Sequence, residues 1–129
     1  MPTHLINPAD IVALNVPNYA HGAATEGAGR WLHLSGQVGV APDGTTETGF
    51  EAQCRRAFSN IGACLRDAEM GFEHVVMLRI YLTHREDLPA LRSIRGEVFG
   101  DRRLPSTLVF VSGLVDPAWR LELEVVAAK

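Results

Sequence analysis

The sequence predicts a single α+β domain, residues 1–129, in which two helices cover one face of a β-sheet. Two stretches carry apolar residues at helical spacing, and several others alternate apolar and polar residues with the period of a half-buried strand. Each predicted element has one clearly apolar face, which it must bury against another layer. The predicted order of elements along the chain is β-β-α-β-α-β-β.

The composition limits the class of protein. Apolar residues make up 47% of the chain, which is enough for a domain of 129 residues to form a core. The formal net charge of −3 gives no general electrostatic attraction to nucleic acid or to an anionic membrane. No apolar run approaches the roughly 20 residues of a membrane span, and the first residues lack the features of a signal peptide. We therefore expect a cytoplasmic protein with no membrane partner.

Two strands open the predicted sheet. The stretches YAHGAAT and RWLHLSGQVGV flank the turn-forming sequence EGAG, which favours a hairpin connection. In the second stretch Leu32 and Leu34 share one face, while Trp31, His33 and Ser35 share the other.

Two amphipathic helices follow. The spacing of small and apolar residues predicts one helix over about 50–69, ended by Gly71, and a second over 88–98, ended by Gly100. Asp87 is predicted to be the N-cap of the second helix, since an aspartate carboxylate accepts hydrogen bonds from the first free backbone N–H groups.

Three more strands are predicted at HVVMLRIYLTH, STLVFVSG and RLELEVVA. The first directs four apolar residues to the helices: Val76, Leu78, Ile80 and Leu82. The last directs three: Leu121, Leu123 and Val125. The opposite face of the sheet combines apolar, hydroxyl and charged side chains: Trp31, His33, Ser35, Arg79, Tyr81, Thr107, Val109, Val111, Glu122 and Glu124.

This mixed face predicts an oligomer. It is too apolar for a solvated surface and too polar for a simple core, and such a face usually contacts a partner subunit. Arg79 is expected to be the charge partner of Glu122 or Glu124, because a charge buried at such a seam needs a counter-charge.

Six stretches, in this order and spacing, carry a family likeness: NYAHG, LSGQVGVAPDG, EAQCRRAFSNIGACL, VVMLRIYLTHREDLPAL, VFGDRRLPSTLVFV and LELEVVA. Together they resemble the RidA/YjgF family of reactive-intermediate deaminases, some of which are labelled L-PSP endoribonucleases. The resemblance implies a chorismate-mutase-like fold and a homotrimer with a central β-barrel. It also implies clefts between subunits that bind a small metabolite, and we expect no cofactor.

Typical members of the family hydrolyse an enamine or imine to a 2-keto acid and ammonia. By position in the motifs, the resemblance implies that Glu122 acts on the reacting nitrogen. It also implies that Tyr19, Ser35 and Gly36 bind the substrate.

The chain departs from the family at a residue that binds substrate. The usual motif Pro-x-Arg-Ser would have arginine at the position of Thr107. A threonine hydroxyl cannot make the two parallel charge-assisted hydrogen bonds that arginine makes to a carboxylate. Arg79, on the same predicted face, is the candidate to bind the anion instead.

Several functions remain open at this point. The leading prediction is hydrolysis of a reactive imine or an aminomuconate-like enamine in clefts between subunits. The loss of the arginine favours the alternative, a non-catalytic metabolite-binding or chaperone-like trimer. Ribonuclease activity is less favoured, because the arginines near the second helix are mixed with acidic residues and no aromatic platform accompanies them. No metal site is predicted, since His21 and His33 have no third ligand at suitable spacing.

Overall fold

The structure is a computed structural model that describes residues 3–13 and 18–129. These residues form six strands and two α-helices: β1 (Thr3–Ile6), β2 (Gly22–Thr25), β3 (Trp31–His33), α1 (Phe50–Asp67), β4 (Val75–Leu82), α2 (Leu88–Phe99), β5 (Ser106–Phe110) and β6 (Leu121–Ala128). A single 3-10 turn precedes β4 and another precedes α2. The predicted α+β class is confirmed, whereas β1 was not predicted.

Four of the strands form one sheet with the order β3-β6-β4-β5. Strand β6 is antiparallel to both of its neighbours, and β5 is parallel to β4. The parallel pair needs a crossover, which α2 supplies between the two strands. Strand β1 pairs with β2 in a separate two-stranded antiparallel sheet.

The predicted hairpin between YAHGAAT and RWLHLSGQVGV is wrong. Strand β2 pairs with β1, and β3 pairs with the end of β6. The connection between β2 and β3 is held by the end of the chain, since the backbone N–H groups of Gly29 and Arg30 both donate to the carbonyl of Lys129, at 3.0 and 2.9 Å. These bonds direct β3 onto β6, and β2 pairs elsewhere.

Both helices lie on one face of the four-stranded sheet, as predicted. The core lies between these layers and contains the apolar residues predicted for the closing strand: Leu121, Leu123 and Val125. A register shift between Val75 and Met77 changes the start of β4. Because of this bulge, Val75 is buried in the core and Val76 is not, so the predicted inward position of Val76 is wrong.

Asp87 precedes α2 but does not cap it through its side chain. Its buried carboxylate instead accepts hydrogen bonds from Arg120, at 2.9 Å from Nε and 3.0 Å from Nη2. A bidentate charge-assisted pair is stronger than a cap to a neutral N–H group. The pair fixes the start of α2 to the residue that precedes β6, and the predicted capping contact is absent.

In the described parts of the chain, no helix combines the length and the apolar character that crossing a bilayer would require.

Candidate functional site

The sheet face opposite the helices carries the residues predicted for it. Side chains on this face are half-buried or exposed, in contrast to the buried residues that alternate with them. Two large apolar side chains are among them, since Trp31 is 51% exposed and Val109 is 40% exposed. The predicted mixed character of this face is therefore confirmed in the single chain.

The strand register places the charged residues side by side. On β4, Arg79 lies opposite Glu124 of β6 and opposite Thr107 of β5. Two residues further, Tyr81 lies opposite Glu122. The guanidinium, the phenol and the two carboxylates thus form one polar group across two neighbouring strands.

The two carboxylates of β6 differ in their partners. The Tyr81 hydroxyl donates a hydrogen bond to Oε1 of Glu124, its diagonal neighbour. This hydrogen bond raises the pKa of the Tyr81 phenol, because it stabilises the protonated form. Among the described residues, the Glu122 carboxylate forms no hydrogen bond and no ion pair.

Glu122 lies against Gly36. A Cβ atom built on Gly36 would stand 1.8 Å from Oε2 of Glu122, so only glycine permits this approach. The segment that carries Ser35 and Gly36 runs beside β6, held by hydrogen bonds between the backbones of Gln37 and Leu123 at 2.6 and 2.9 Å. The structure therefore brings together three of the predicted site residues: Ser35, Gly36 and Glu122.

Arg79 does not form the ion pair expected of it within the chain. Among the described residues, no carboxylate oxygen lies within 4.0 Å of its guanidinium, although Glu124 is directly opposite. Glu124 is bonded to Tyr81 instead. The half-buried guanidinium is thus available to a ligand, and the exposed Thr107 lies beside it on the neighbouring strand.

Tyr19 lies at the far edge of the sheet. It forms a parallel bridge with Leu104, which precedes β5, whereas Ser35 and Gly36 lie beyond β6. Three strand spacings separate Tyr19 from Glu122, which amounts to roughly 14 Å or more. The single chain therefore does not bring Tyr19 to Ser35, Gly36 and Glu122.

A small cavity surrounds Tyr19. Its volume is about 250 Å³, and its polar lining includes Tyr19, His21 and Arg103. Nε2 of His21 lies 2.7 Å from the Val12 carbonyl, which can only accept, so Nε2 carries a proton. In a neutral imidazole Nδ1 is then an acceptor, and the Tyr19 hydroxyl 3.4 Å away donates to it. This contact leaves the oxygen lone pairs of Tyr19 free for a ligand.

Other kinds of site have less support. Burial raises the pKa of the Cys54 thiol to about 12, which makes it a poor nucleophile. Among the described residues, no three or more histidines, cysteines and acidic residues are grouped so as to bind a metal ion. The contacts of Tyr81 and His21 were not predicted, although Tyr81 alternates with Arg79 on the same face and that position was a usable signal.

Comparison with known sequences identifies relatives along most of the chain. The sequence profile described as endoribonuclease L-PSP matches residues 11–129. A RutC family protein of Aquifex aeolicus is 32% identical over 116 residues, which are 88% of this chain and 92% of that protein. The RutC family protein YjgH of Escherichia coli is 32% identical over 102 residues, which are 78% of this chain and 76% of YjgH.

Solved structures share the fold. YyfB of Yersinia pestis, a protein of unknown function in the conserved Rid protein family, superposes with a TM-score of 0.86 at 27% identity, over 100% of both chains. The structure of YjgH gives a TM-score of 0.70 at 30% identity, over 85% of this chain and 82% of that one. RidA of an Antarctic Psychrobacter, at 23% identity, shows the same fold with a TM-score of 0.75 over 95% and 98% of the chains. The chain belongs to the endoribonuclease L-PSP family, in which the RidA/YjgF proteins are found.

Proposed function

We propose that this protein hydrolyses a reactive imine or an aminomuconate-like enamine to a carbonyl compound and ammonia. Family membership supports a small-molecule deaminase or a related role. The observation that carries the more specific proposal is the Glu122 carboxylate, which is half-buried, lies against Gly36 and forms no hydrogen bond or ion pair among the described residues. A carboxylate in this state can transfer a proton without first breaking an ion pair.

In the proposed mechanism, a water molecule adds to the carbon of the C=N bond. Glu122 takes a proton from this water and returns it to the nitrogen, so the carboxylate is regenerated. A second proton then moves from the new hydroxyl group to the nitrogen through solvent water, the C–N bond breaks, ammonia leaves, and the carbonyl forms. An enamine first takes up a proton on carbon and loses one from nitrogen to become the imine. Because such imines hydrolyse spontaneously, positioning and one assisted proton transfer suffice, worth roughly 10²–10⁴-fold.

Arg79 is proposed to bind an anionic group of the substrate. Its guanidinium has no carboxylate partner among the described residues, and it lies directly opposite Thr107, where the family motif has arginine. Neighbouring strands are about 4.8 Å apart, a distance that an arginine side chain spans easily. The Thr107 hydroxyl would add a single hydrogen bond, and Ser35 and Gly36 would bound the substrate beside Glu122.

A second subunit is proposed to complete the cleft. Tyr19 lies beyond β5, three strand spacings from Glu122 on β6, so a cleft containing both needs Tyr19 from a neighbouring copy. The exposure of Trp31 and Val109 on the sheet face supports burial of this face between copies. We therefore propose a cytoplasmic homotrimer whose sheet faces form a central β-barrel, with Tyr19 as a substrate-binding residue contributed across the subunit boundary.

The proposed activity can be tested with imines made in the assay by an amino-acid oxidase, together with aminomuconate-like enamines. Ammonia release is compared with and without the protein, with heat-denatured protein as the control. We expect release above the spontaneous rate for at least one imine or enamine. The absence of any acceleration across the panel would contradict the proposal. Sedimentation at micromolar concentration tests the trimer, and a monomer would contradict the shared cleft.

A second candidate is a non-catalytic trimer that binds a small metabolite or acts as a chaperone-like protein. Thr107 favours it, because the residue that binds the substrate carboxylate in typical members is missing. Binding of a 2-keto acid without acceleration of any imine hydrolysis would support this candidate.

A further inference from the structure

Arg95 is half-buried in an unusual environment. It lies on α2, and burial lowers the pKa of its guanidinium. Among the described residues no carboxylate oxygen lies within 4.0 Å of it, and its Nε is buried without a hydrogen-bond partner. Burying a charge without a counter-charge costs stability, and an apolar side chain of similar size is often tolerated better at such a position. Stability therefore does not explain this arginine.

The two contacts that Arg95 makes lead to the proposed cleft. Its Nη1 donates to Oγ of Ser106 at 3.1 Å, and its Nη2 donates to the carbonyl of Asn18 at 3.0 Å. Ser106 precedes Thr107, and Asn18 precedes Tyr19. Each contact thus holds the residue next to a proposed substrate-binding residue, from the helix side of the sheet.

The backbone at Asn18 needs such support. Asn18 has a φ of 64°, in the left-handed region that asparagine tolerates better than most residues. Its carbonyl accepts hydrogen bonds from two sources, the Leu104 N–H at 3.3 Å and the Arg95 guanidinium. Only the guanidinium connects this carbonyl to α2 and to Ser106 at once, since its donors form a rigid planar fork.

We propose that Arg95 is a positioning residue that fixes Tyr19 and the start of β5 relative to each other. The inference rests on the proposed function only through the role of Tyr19 as a ligand-binding residue. Arg95 itself touches neither the sheet face nor the substrate.

Fluorine NMR provides the direct test, because the chain contains only two tyrosines, Tyr19 and Tyr81. Protein labelled with 3-fluorotyrosine should give two signals, which Tyr19→Phe and Tyr81→Phe assign. In Arg95→Met we expect the Tyr19 signal to shift and broaden while the Tyr81 signal stays in place. Arg92→Met, an exposed arginine on the same helix, is the matched control and should change neither signal.

Replacing Arg95 with Met should lower the activity without lowering the melting temperature. We expect kcat/KM for the responsive imine to fall by roughly 10²-fold in Arg95→Met, the loss produced by a misplacement of about 1 Å. The melting temperature should stay the same or rise. In Arg95→Lys the ammonium reaches one acceptor at a time, so we expect smaller changes in the same direction. If circular dichroism shows that Arg95→Met does not fold, the fluorine signals of Tyr19 and Tyr81 are compared in Arg95→Lys instead, and they test the proposal in the same way.

An unmoved Tyr19 signal in the folded variant would overturn the proposal. A moved Tyr19 signal with unchanged kcat/KM and unchanged affinity for 2-oxobutanoate would overturn the positioning role as well. Failure of the proposed function is distinguishable from both, since it appears as no acceleration by the unsubstituted protein. The fluorine spectra of the unliganded protein do not depend on that result.

Discussion

The carboxylate of Glu122 lies against the backbone of Gly36, where an added Cβ atom would stand 1.8 Å from Oε2. Glu124, two residues further on the same strand face, is bonded to the hydroxyl of Tyr81 instead. Of these two carboxylates, that of Glu124 thus has a hydrogen-bond partner, and that of Glu122 has none among the described residues. This difference is the basis for assigning proton transfer to Glu122 and a structural role to Glu124.

Gly36→Ala should inactivate the protein without unfolding it. The atoms that the new methyl group meets are the end of a flexible side chain, so Glu122 can swing away at little cost in stability. Its carboxylate then leaves the reacting position, and ammonia release should fall by about 10²-fold or more. Gly113→Ala is the control, since an added Cβ there has no atom within 4 Å. Full activity in Gly36→Ala would argue against the assignment of Glu122.

Gly39→Ala should have the opposite effect: it should lower the stability of the fold and should not specifically lower the catalytic activity. An added Cβ would stand 2.4 Å from the Cα of Gln53, and backbone of helix α1 cannot give way as a side chain can. We expect a decrease of about 1–3 kcal/mol in the free energy of unfolding. Denaturant unfolding at equal protein concentration measures it, with Gly113→Ala again as the control. Equal midpoints for the two variants would show that the loop containing Gly39 moves freely.

Arg79→Ala should abolish binding of a small carboxylate while the oligomer persists. The guanidinium has no carboxylate partner among the described residues, so its removal leaves no unpaired acid behind in the chain. Calorimetric titration with 2-oxobutanoate measures binding, and sedimentation measures assembly. Arg79→Lys keeps the charge but loses the planar fork, and we expect it to bind with intermediate affinity. Binding by Arg79→Ala at the original affinity would exclude Arg79 as the anion-binding residue.

Tyr81 should titrate at a higher pH than an ordinary tyrosine, because its hydrogen bond to Glu124 raises the pKa of the phenol. In a Tyr19→Phe background Tyr81 is the only tyrosine, and tyrosinate absorbance follows it alone. Glu124→Gln should move the midpoint down toward about 10. The folded-state pKa lies above the unfolded one, so the stabilisation is complete below pH about 10 and is lost as the pH rises through the folded-state value. An unchanged midpoint in Glu124→Gln would exclude this hydrogen bond as the cause.

The elements with strong local periodicity were predictable. Helices α1 and α2 and the strands that contain Ile80 and Leu123 each repeat one apolar face over several turns or residues. Gly100 ends α2 as predicted, with a φ of 62° that favours glycine. Such patterns involve only residues that are close in the sequence, and the structure contains the elements that they predict.

Pairing between distant segments was not predictable in the same way. Strand β1 has only four residues, most of them exposed. Strand β3 pairs with β6, next to the hydrogen bonds that Gly29 and Arg30 make to Lys129. Asp87 binds Arg120 instead of capping α2, and this contact too joins residues that are far apart in the sequence.

The same distinction between local patterns and distant contacts applies to the candidate site. The side of the sheet on which Glu122 and Arg79 lie could be deduced from alternation alone. The approach of Glu122 to Gly36 could not, because glycine has no side chain whose pattern would indicate a contact. The separation of Tyr19 from Glu122 required the strand order.

The role of Glu122 in proton transfer is tested most directly by the rate of ammonia release by Glu122→Gln, measured on the imine or enamine that the unsubstituted protein accelerates most. Glutamine keeps the size of the side chain but cannot take a proton from water. We expect a rate close to spontaneous hydrolysis, with binding of 2-oxobutanoate and trimer assembly retained. A rate equal to that of the unsubstituted protein would contradict it.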